Sequence, residues 1–339
     1  MSRVTIKDVA QKSGMSIRTV SRVINNDPNV KDKTRAKVQA VIEELGFKVN
    51  LLARSLKEMK TNQIVVFIDR RRGMYWGTFH NEFLHELHRV MKKQGYRMVI
   101  SPSSPDSFEE DENDGFYLVK NGMCDGAIMF DPNIGDKRIT YLKDISVPFV
   151  VIGKDVSRYD TSYVDVDNQY VGYVGAKTIH SYGYQDFVLL LGSEGSPINQ
   201  DRASGFQQYC LEQGIKSKHI FGLSDLESVY QQSLRQIQSE GTKAIFVSGD
   251  ERALGVYRAI YESGYRVGVD IGVLGVDDIR TGEYMFPALS TIGQPKRDIA
   301  ELALNMLIEQ IHSEDPAAKR TLVAPTLIHR ASLVEQKIG

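Results

Sequence analysis

Arginine, isoleucine and hydroxyl residues cluster near the start of the chain in an arrangement that suits DNA. Arg18 and Arg22 are four residues apart, so on a helix they share one face. An arginine can donate two parallel hydrogen bonds to guanine O6 and N7, and such a pair is worth roughly 1–3 kcal/mol of discrimination. Ile17 can make an apolar contact, for instance with a thymine methyl group. The alternative explanation for this set of residues is a charged helix face that contacts only solvent. Small donors suited to phosphates, which fix register without reading sequence, are Thr5, Ser16, Thr19, Ser21, Asn25 and Thr34.

A second set of polar residues lies mostly just after predicted strands in the rest of the chain. Carboxylates opposite an arginine can hold a polyol, because each hydroxyl can donate to one and accept from the other. Aromatic residues after the first predicted strand could stack on a sugar ring. An aspartate at a strand end can equally be a helix N-cap, so that alternative stays open for each. The predicted small-molecule site comprises Tyr75, Trp76, Asp131, Lys154, Arg202, Asp250 and Asp277.

Motifs of the common enzyme and metal classes do not occur in the sequence. There is no GxGxxG or GxxxxGK[ST] phosphate loop, no GxSxG nucleophile elbow and no HExxH zinc motif. His85 and His88 are three residues apart, and a solvated helix face explains them more simply than a metal. Cys124 and Cys210 have no CxxC spacing and suit buried free thiols in a reducing compartment. The sequence therefore predicts a protein that binds no metal and no cofactor and has no enzymatic activity.

The charge of the chain is divided unevenly along its length. The 339 residues have a net charge of −1, yet residues 1–60 hold 13 Lys and Arg against 6 Asp and Glu. That segment is therefore +7 and the remainder −8, which places a polyanion-binding function at one end. With 42% hydrophobic residues the chain suits two or three globular domains of about 150 residues each. No leader and no apolar run of about 20 residues is found, so a cytoplasmic protein is expected.

The elements that position the basic residues are three short amphipathic helices. Thr5 begins a capping box before the first helix, and Ser16 is a good N-cap for a second helix over 17–25. The third helix begins at Asp32 and ends at the C-cap Gly46. Two short helices joined by a glycine-containing turn form a helix-turn-helix, and its second helix is the one that enters the major groove.

From about residue 64, apolar runs alternate with helical stretches. This rhythm predicts parallel sheets covered by helices on both faces, with the ligand site at the carboxyl ends of the strands. About nine strands over some 270 residues favour two similar doubly wound α/β lobes over one sheet. Strands are predicted over 64–68, 97–100, 127–130, 149–152, 187–191, 244–247 and 272–276, and helices over 81–94, 168–182, 203–214, 251–264 and 295–312.

The N-terminal residues resemble the DNA-binding head of the lactose-repressor (LacI/GalR) family. The match consists of TIKDVA at 5–10, TVSRV at 19–23, TR at 34–35, ELGF at 44–47 and ARSL at 53–56. The resemblance implies a hinge helix over 50–57 that folds on operator DNA, with contacts from Asn50 and Ala53. Leu56 stands where the family has a leucine wedge that kinks the central base step. The family usually has proline before the hinge asparagine, whereas this chain has Val49.

The remainder resembles the effector-binding core of the same family, which is similar to periplasmic sugar-binding proteins. DRASGF at 201–206 matches R-x-x-G-F, and GVDD at 275–278 matches G-[FY]-D-D. These matches imply effector contacts for Arg202 and Asp277. GDERALG at 249–255 departs from N-D-x-x-A-x-G, since Gly249 replaces asparagine. Three arginines at 70–72 stand where the family has its N-P-F-F segment. Their positive charge indicates either an effector that is an acidic or phosphorylated sugar or, alternatively, a solvated loop.

Together these features predict a homodimeric repressor of carbohydrate genes. Two heads read a palindromic operator, and a small sugar-like effector between the lobes controls affinity. The expected domains are a head over 1–60 and a core over 61–339. Within the core we expect an N-lobe over 61–163 plus 293–324 and a C-lobe over 164–292 plus 325–339. Two alternatives remain: a catabolite regulator that binds a phosphorylated carrier protein, and a sugar-modifying enzyme with a DNA-binding head.

Overall fold

The structure, a computed structural model, describes residues 4–48, 60–69, 77–104 and 114–336. The chain divides into two compact units, Met1–Thr61 and Asn62–Gly339, which we call the head and the core. Among the described residues, no helix combines the length and the hydrophobicity that crossing a membrane requires.

Three helices form the head around a small apolar centre: α1 (Ile6–Ser13), α2 (Ile17–Ile24) and α3 (Asp32–Leu45). Local sequence sets their ends. Ser16 Oγ accepts a hydrogen bond from Thr19 N at 3.1 Å and so caps α2. Gly46, with φ 59°, ends α3 in the left-handed conformation. The three predicted helices are confirmed, and their buried residues are Val9, Ala10, Val20, Val23, Val30 and Val38.

The first sheet of the core has six parallel strands in the order β11-β5-β4-β3-β1-β2. Its central strands are buried on both faces, which is why they read as unbroken apolar runs in the sequence. The strands are β1 (Gln63–Asp69), β2 (Arg97–Ser103), β3 (Gly126–Phe130), β4 (Phe149–Ile152), β5 (Tyr163–Val166) and β11 (Arg320–Val323).

The second sheet has the order β12-β10-β9-β8-β6-β7, and only β12 runs antiparallel to its neighbour. The carboxyl ends of its parallel strands again share one edge, where ligand sites of such sheets lie. Its strands are β6 (Phe187–Leu190), β7 (His219–Ile220), β8 (Ala244–Val247), β9 (Gly272–Asp277), β10 (Ser290–Gly293) and β12 (Thr326–Ile328).

Helices pack on both faces of each sheet, and four separate apolar clusters result. The predicted fold class, a helical head followed by two parallel-sheet α/β lobes, is confirmed. The core helices are α4 (Gly77–Lys93), α5 (Gly115–Lys120), α6 (Lys137–Asp144), α7 (Asn168–Ser181), α8 (Pro197–Glu212), α9 (Leu226–Glu240), α10 (Ala253–Glu262), α11 (Arg280–Tyr284) and α12 (Lys296–His312).

The chain passes between the two lobes at three places: between β5 and α7, between β10 and α12, and between β11 and β12. The strand β5 lies wholly in the first sheet and β10 wholly in the second. Each lobe is therefore assembled from segments distant in sequence, and three connections join the lobes.

Two core helices begin earlier than the sequence pattern predicts, and α4 starts at Gly77 instead of residue 81. The helix α8 starts at Pro197, whereas the apolar pattern predicts a start at residue 203. Proline at the first helical position, with Ser196 as N-cap, is the signal that the apolar pattern does not include. Arg202 consequently lies inside a helix and not in the loop before it.

Candidate functional site

The second helix of the head begins with an apolar and a basic residue in contact with solvent. Ile17, the first residue of α2, is 47% exposed, while Val20 and Val23 of the same helix are buried. Arg18 beside it is exposed as well. A single exposed apolar side chain is common. This one, however, lies at the N-terminal end of the helix that the sequence assigns to the major groove.

The hydroxyl groups around α2 are partly used within the head. Ser16 Oγ lies 2.9 Å from Thr19 Oγ1. Thr5 N and Thr5 Oγ1 both donate to Asp8 Oδ2 at 2.8 Å, which completes the predicted capping interaction. These residues therefore stabilise helix ends in addition to any contact with phosphate. Of the other predicted phosphate ligands, Asn25 is exposed and Ser21 and Thr34 are half-buried.

Part of the predicted site lies outside the described residues. This applies to the hinge residues Asn50, Ala53 and Leu56, to the aromatic pair Tyr75 and Trp76, and to the three arginines at 70–72.

A buried arginine lies at the centre of the candidate effector site. Arg202, on α8, is 5% exposed. Its Nε donates to Asn168 Oδ1 at 2.9 Å and its Nη1 to Ser248 Oγ at 2.7 Å. Burial lowers the pKa of Arg202, and the opposing charges of four aspartates raise it. Those four, brought together at the seam between the lobes, are Asp131, Asp165, Asp250 and Asp277.

Asp277 links the site to the chain crossing after β10. It ends β9 with φ 119°, a conformation that non-glycine residues rarely adopt. Its Oδ1 accepts from Gln294 Nε2 at 2.6 Å, and its backbone oxygen accepts from Lys296 Nζ at 2.7 Å. Burial raises the pKa of Asp277, while Arg202 lowers it. The predicted effector residue is thus held from both its side chain and its backbone.

Asp250 has mainly structural partners. It is fully buried, and its Oδ1 accepts from Thr291 Oγ1 at 2.7 Å. Its Oδ2 accepts from Ile279 N at 3.1 Å. Burial raises its pKa well above the usual range, and the negative charge of Asp277 adds to this effect. One carboxylate oxygen therefore holds β10, and the other holds the turn between β9 and α11.

Asp131 and Lys154 are the predicted site residues contributed by the first lobe. Asp131 follows β3, and its Oδ2 lies 2.6 Å from Nε2 of the buried His80 on α4. Lys154 Nζ pairs with Asp201 Oδ2 at 2.8 Å, across the seam between the lobes. Desolvation lowers the pKa of Lys154, but the hydrogen bond and the charge of Asp201 raise it, and the net effect is an increase. Both residues therefore lie at the seam, each held by a partner.

Several members of this cluster have no clear signal in the sequence. Asp165 lies within the apolar strand β5 and accepts from Asn168 Nδ2 at 2.9 Å. Burial raises its pKa to about 7, against the lowering effect of Arg202. The signal for such residues is a polar side chain inside an apolar strand or at the start of a helix, because a buried charge requires partners. The residues found only in the structure are His80, Asp165, Asn168, Asp201, Ser248, Gln294 and Lys296.

Metal binding has no support within the described part of the chain, because no group of three or more His, Cys, Asp or Glu there could hold an ion. Hydrogen-bonding and charged groups from both lobes instead meet at the seam between them. Such an arrangement suits a polar organic ligand.

Comparisons with known proteins agree with both parts of this architecture. Residues 5–50 match the family described as "Bacterial regulatory proteins, lacI family", and residues 176–333 match a "Periplasmic binding protein-like domain". The HTH-type transcriptional repressor PurR of Erwinia tasmaniensis is 31% identical over 338 residues, which cover 98% of this chain and 97% of that protein. Catabolite control protein A of Priestia megaterium is 27% identical over 320 residues, with 92% and 93% coverage.

Solved structures give the same result. The lac repressor dimer bound to operator and the anti-inducer ONPF has a TM-score of 0.84 and 25% identity, covering 98% of this chain and 100% of that one. The complex of the transcriptional regulator CelR with cellobiose has a TM-score of 0.73 at 22% identity, covering 97% and 100%, and supports the fold alone. With a head and a two-lobed core that match over nearly their whole length, the chain belongs to the LacI family of bacterial regulatory proteins.

Proposed function

We propose that this protein is a homodimeric transcriptional repressor that binds a palindromic operator and responds to a sugar-like effector. The observation that carries the proposal is the combination of two sites in one chain. The head exposes Ile17 and Arg18 at the start of α2, and the core holds Arg202 among four aspartates at the seam of its lobes. The proposed DNA-binding domain comprises residues 1–60, with a hinge over 50–57, and the proposed effector-binding domain comprises residues 61–339.

The chemistry of the core site supports a hydroxyl-rich effector. Carboxylates accept hydrogen bonds, whereas Arg202 and Lys154 can only donate them. A sugar hydroxyl can do both, so one hydroxyl can bridge an acid and a base. This favours a carbohydrate, and the proposed target genes are those of carbohydrate uptake and catabolism.

Effector control requires a difference in affinity between two states of the core. Several contacts join the lobes, including Lys154 with Asp201 and Ile134 N with Gly195 O at 3.2 Å. An effector that binds best with these contacts formed stabilises that state. It changes operator affinity only by its preference for one state, typically 1–3 kcal/mol.

The alternative with a phosphorylated carrier protein as corepressor has less support. It requires a basic docking surface on α12. The two cations at the start of that helix already have acidic partners, Lys296 with Glu82 at 3.1 Å and Arg297 with Glu301 at 3.1 Å. The helix therefore offers no cluster of uncommitted positive charge at this end for a phosphate.

The test of DNA binding is selection from a pool of duplexes with a randomised segment. The full-length protein should enrich a two-fold symmetric sequence. Arg22→Ala should relax base preference at one position of each half-site, because a bidentate contact is lost. Thr34→Ala should weaken binding to all sequences alike, since a phosphate contact carries no sequence information. Equal loss of overall affinity in both variants would contradict the assignment of α2 to the groove.

The effector part is tested with a panel of neutral sugars, sugar acids and sugar phosphates. At least one should shift the melting temperature and change affinity for the selected duplex. Isothermal titration should saturate; heat that continues with time instead indicates turnover and favours an enzyme. A panel without any binder contradicts the sugar proposal while leaving the DNA-binding result intact.

A further inference from the structure

Asp27 holds the Arg22 side chain in one orientation just after α2. The chain turns back at Asn26, which has φ 54°, so that Asp27 N donates to Arg22 O at 3.0 Å. The turn brings the carboxylate beside the guanidinium, where Asp27 Oδ2 accepts from Arg22 Nε at 2.7 Å. The side chains are 45% and 27% exposed for Arg22 and Asp27, respectively. The ion pair is therefore accessible to a partner molecule.

Asp27 is itself fixed from two other directions. Its Oδ1 accepts from Asn29 N at 2.9 Å and from Asn29 Nδ2 at 3.1 Å. Its backbone oxygen accepts from Arg35 Nη2, on α3, at 2.7 Å. The hydrogen bond from Arg22 and then those from Asn29 lower the pKa of Asp27 to about 2. The carboxylate is thus ionised at neutral pH, and it cannot rotate without losing bonds.

The atom that Asp27 binds determines how Arg22 can meet a base. A guanidinium has five N–H donors in a planar fork. It can present two parallel donors either from the edge that contains Nε or from the end formed by Nη1 and Nη2. Asp27 occupies Nε, which leaves the terminal pair for guanine O6 and N7. An arginine that is already held in place also loses less conformational entropy on binding.

We propose that Asp27 is a positioning residue for base recognition, which fixes Arg22 so that its two terminal nitrogens face a guanine. The inference rests on the proposed DNA-binding function and on the reading of a base by Arg22. It gives Asp27 a role in sequence specificity, although its ionised carboxylate cannot itself donate a hydrogen bond to a base. It also explains why an acidic residue lies within the basic segment.

A purely structural role for Asp27 predicts different effects from a positioning role. If Asp27 only organises the turn through Asn29, its loss lowers affinity for every DNA sequence and leaves base preference unchanged. If it positions Arg22, Asp27→Ala lowers preference for guanine at one position of each half-site by about tenfold. Affinity for unrelated DNA then stays equal or increases, because a negative charge near phosphates is removed.

The experiment uses the full-length protein and the randomised duplex pool, followed by measured affinities for the selected duplex and its single-base variants. Asp27→Ala, Arg22→Ala and the double variant form a cycle. The double variant should lose no more guanine preference than Arg22→Ala alone, because both changes remove the same interaction. Asp27→Asn retains an oxygen acceptor for Nε and should restore part of the preference.

Asn29→Ala is the matched control, since it removes the hydrogen bond from Asn29 Nδ2 to Asp27 Oδ1, keeps the one from Asn29 N and leaves the ion pair in place. It should keep the base preference of the wild type. The inference is overturned if Asp27→Ala selects the same bases with the same preference, or if Asn29→Ala loses preference equally. A wild type that enriches no sequence refutes instead the proposed function.

Discussion

Burial determines the protonation of the carboxylates around Arg202. Asp165 lies on β5 with 5% of its surface exposed, and Arg202 only partly offsets the cost of ionising it there. Its pKa of about 7 places the change of charge near neutral pH. The same aspartate on the surface would be ionised throughout this range. The charge that a ligand meets in this site therefore depends on pH.

Asp165 should make the stability of the core depend on pH. Because its pKa is higher in the folded chain than in the unfolded one, the folded state binds the proton more tightly. The free energy of unfolding should therefore fall as the pH rises from about 4 to about 7, and level off above that. Asp165→Asn removes this contribution, so its stability relative to wild type should rise by at least about 1 kcal/mol between pH 5 and pH 8.

The measurement is denaturant unfolding of both proteins at several pH values, followed by circular dichroism. Asparagine has one acceptor oxygen where Asp165 uses two, for Val166 N and Asn168 Nδ2, so the variant is offset in stability and the comparison depends on the slope. Asp160→Asn is the control: Asp160 is exposed, and its hydrogen bond with Lys143 lowers its pKa. That substitution should not reproduce the change above pH 5. Parallel profiles for wild type and Asp165→Asn would refute the assignment.

At the scale of elements, two glycines allow α7 and α8 to touch backbone to backbone. A Cβ on Gly205 would lie 1.8 Å from Gln169 O, and one on Gly172 would lie 1.9 Å from Arg202 O. Such distances require the helices to separate. The hydrogen bond between Arg202 on α8 and Asn168 on α7 depends on this approach. The glycine of the R-x-x-G-F pattern thus positions the arginine of the same pattern.

Gly205→Ala should destabilise the core in spite of the better helix propensity of alanine. Propensity favours alanine by about 1 kcal/mol, whereas overpacking typically costs 1–3 kcal/mol or more. We expect a net loss of about 1–2 kcal/mol by denaturant unfolding, with weaker effector binding. Gly195→Ala is the control, because its nearest neighbour, Ser193 Oγ, is 3.6 Å away. A Gly205→Ala protein as stable as wild type would show that the helices can move apart at little cost.

The elements with a strong local pattern could be predicted from the sequence, and those without one could not. Central strands such as β3 and β8 are buried along their whole length and read as apolar runs. The edge strand β11 is exposed at alternate positions, and β12 is exposed at its first residue and half-buried at the other two, so no buried apolar run marks them. In the site, Arg202 and Asp277 follow from the family pattern. Lys296 and Asp165 become relevant only because folding brings distant segments together.

For the whole molecule, the division of charge separates two tasks. The +7 of residues 1–60 supplies attraction to phosphates that does not depend on sequence and weakens with salt. The −8 of the remainder disfavours contact of the core with DNA. In the proposed function sensing falls to the core, and an effector would act on the contacts between its lobes.

Lys296 joins several segments at the seam between the lobes. It starts α12, which packs on the first sheet, and its Nζ donates to the backbone oxygens of Asp277 and Asp278 at 2.7 and 2.9 Å. It also pairs with Glu82 Oε2 at 3.1 Å. Glu82 Oε1 accepts from Arg280 N, on the other lobe, at 2.8 Å. Exposed ion pairs contribute little, but the Lys296 side chain is only 11% exposed and serves three oxygens.

Lys296→Met should therefore loosen the seam in both lobes at once. Hydrogen exchange of the full-length protein should become faster at the start of α11, where the Arg280 amide is bonded to Glu82, and also along α4 around Glu82. A loss of about 1 kcal/mol corresponds to roughly fivefold faster exchange by opening of the seam. Arg297→Met is the matched control, since Arg297 is 56% exposed and its ion pair with Glu301 lies along its own helix. If Lys296→Met accelerates exchange at the first turn of α12 alone, the lysine acts locally, and coupling between the lobes must depend on other contacts, such as the Lys154–Asp201 pair and the Ile134 N–Gly195 O hydrogen bond.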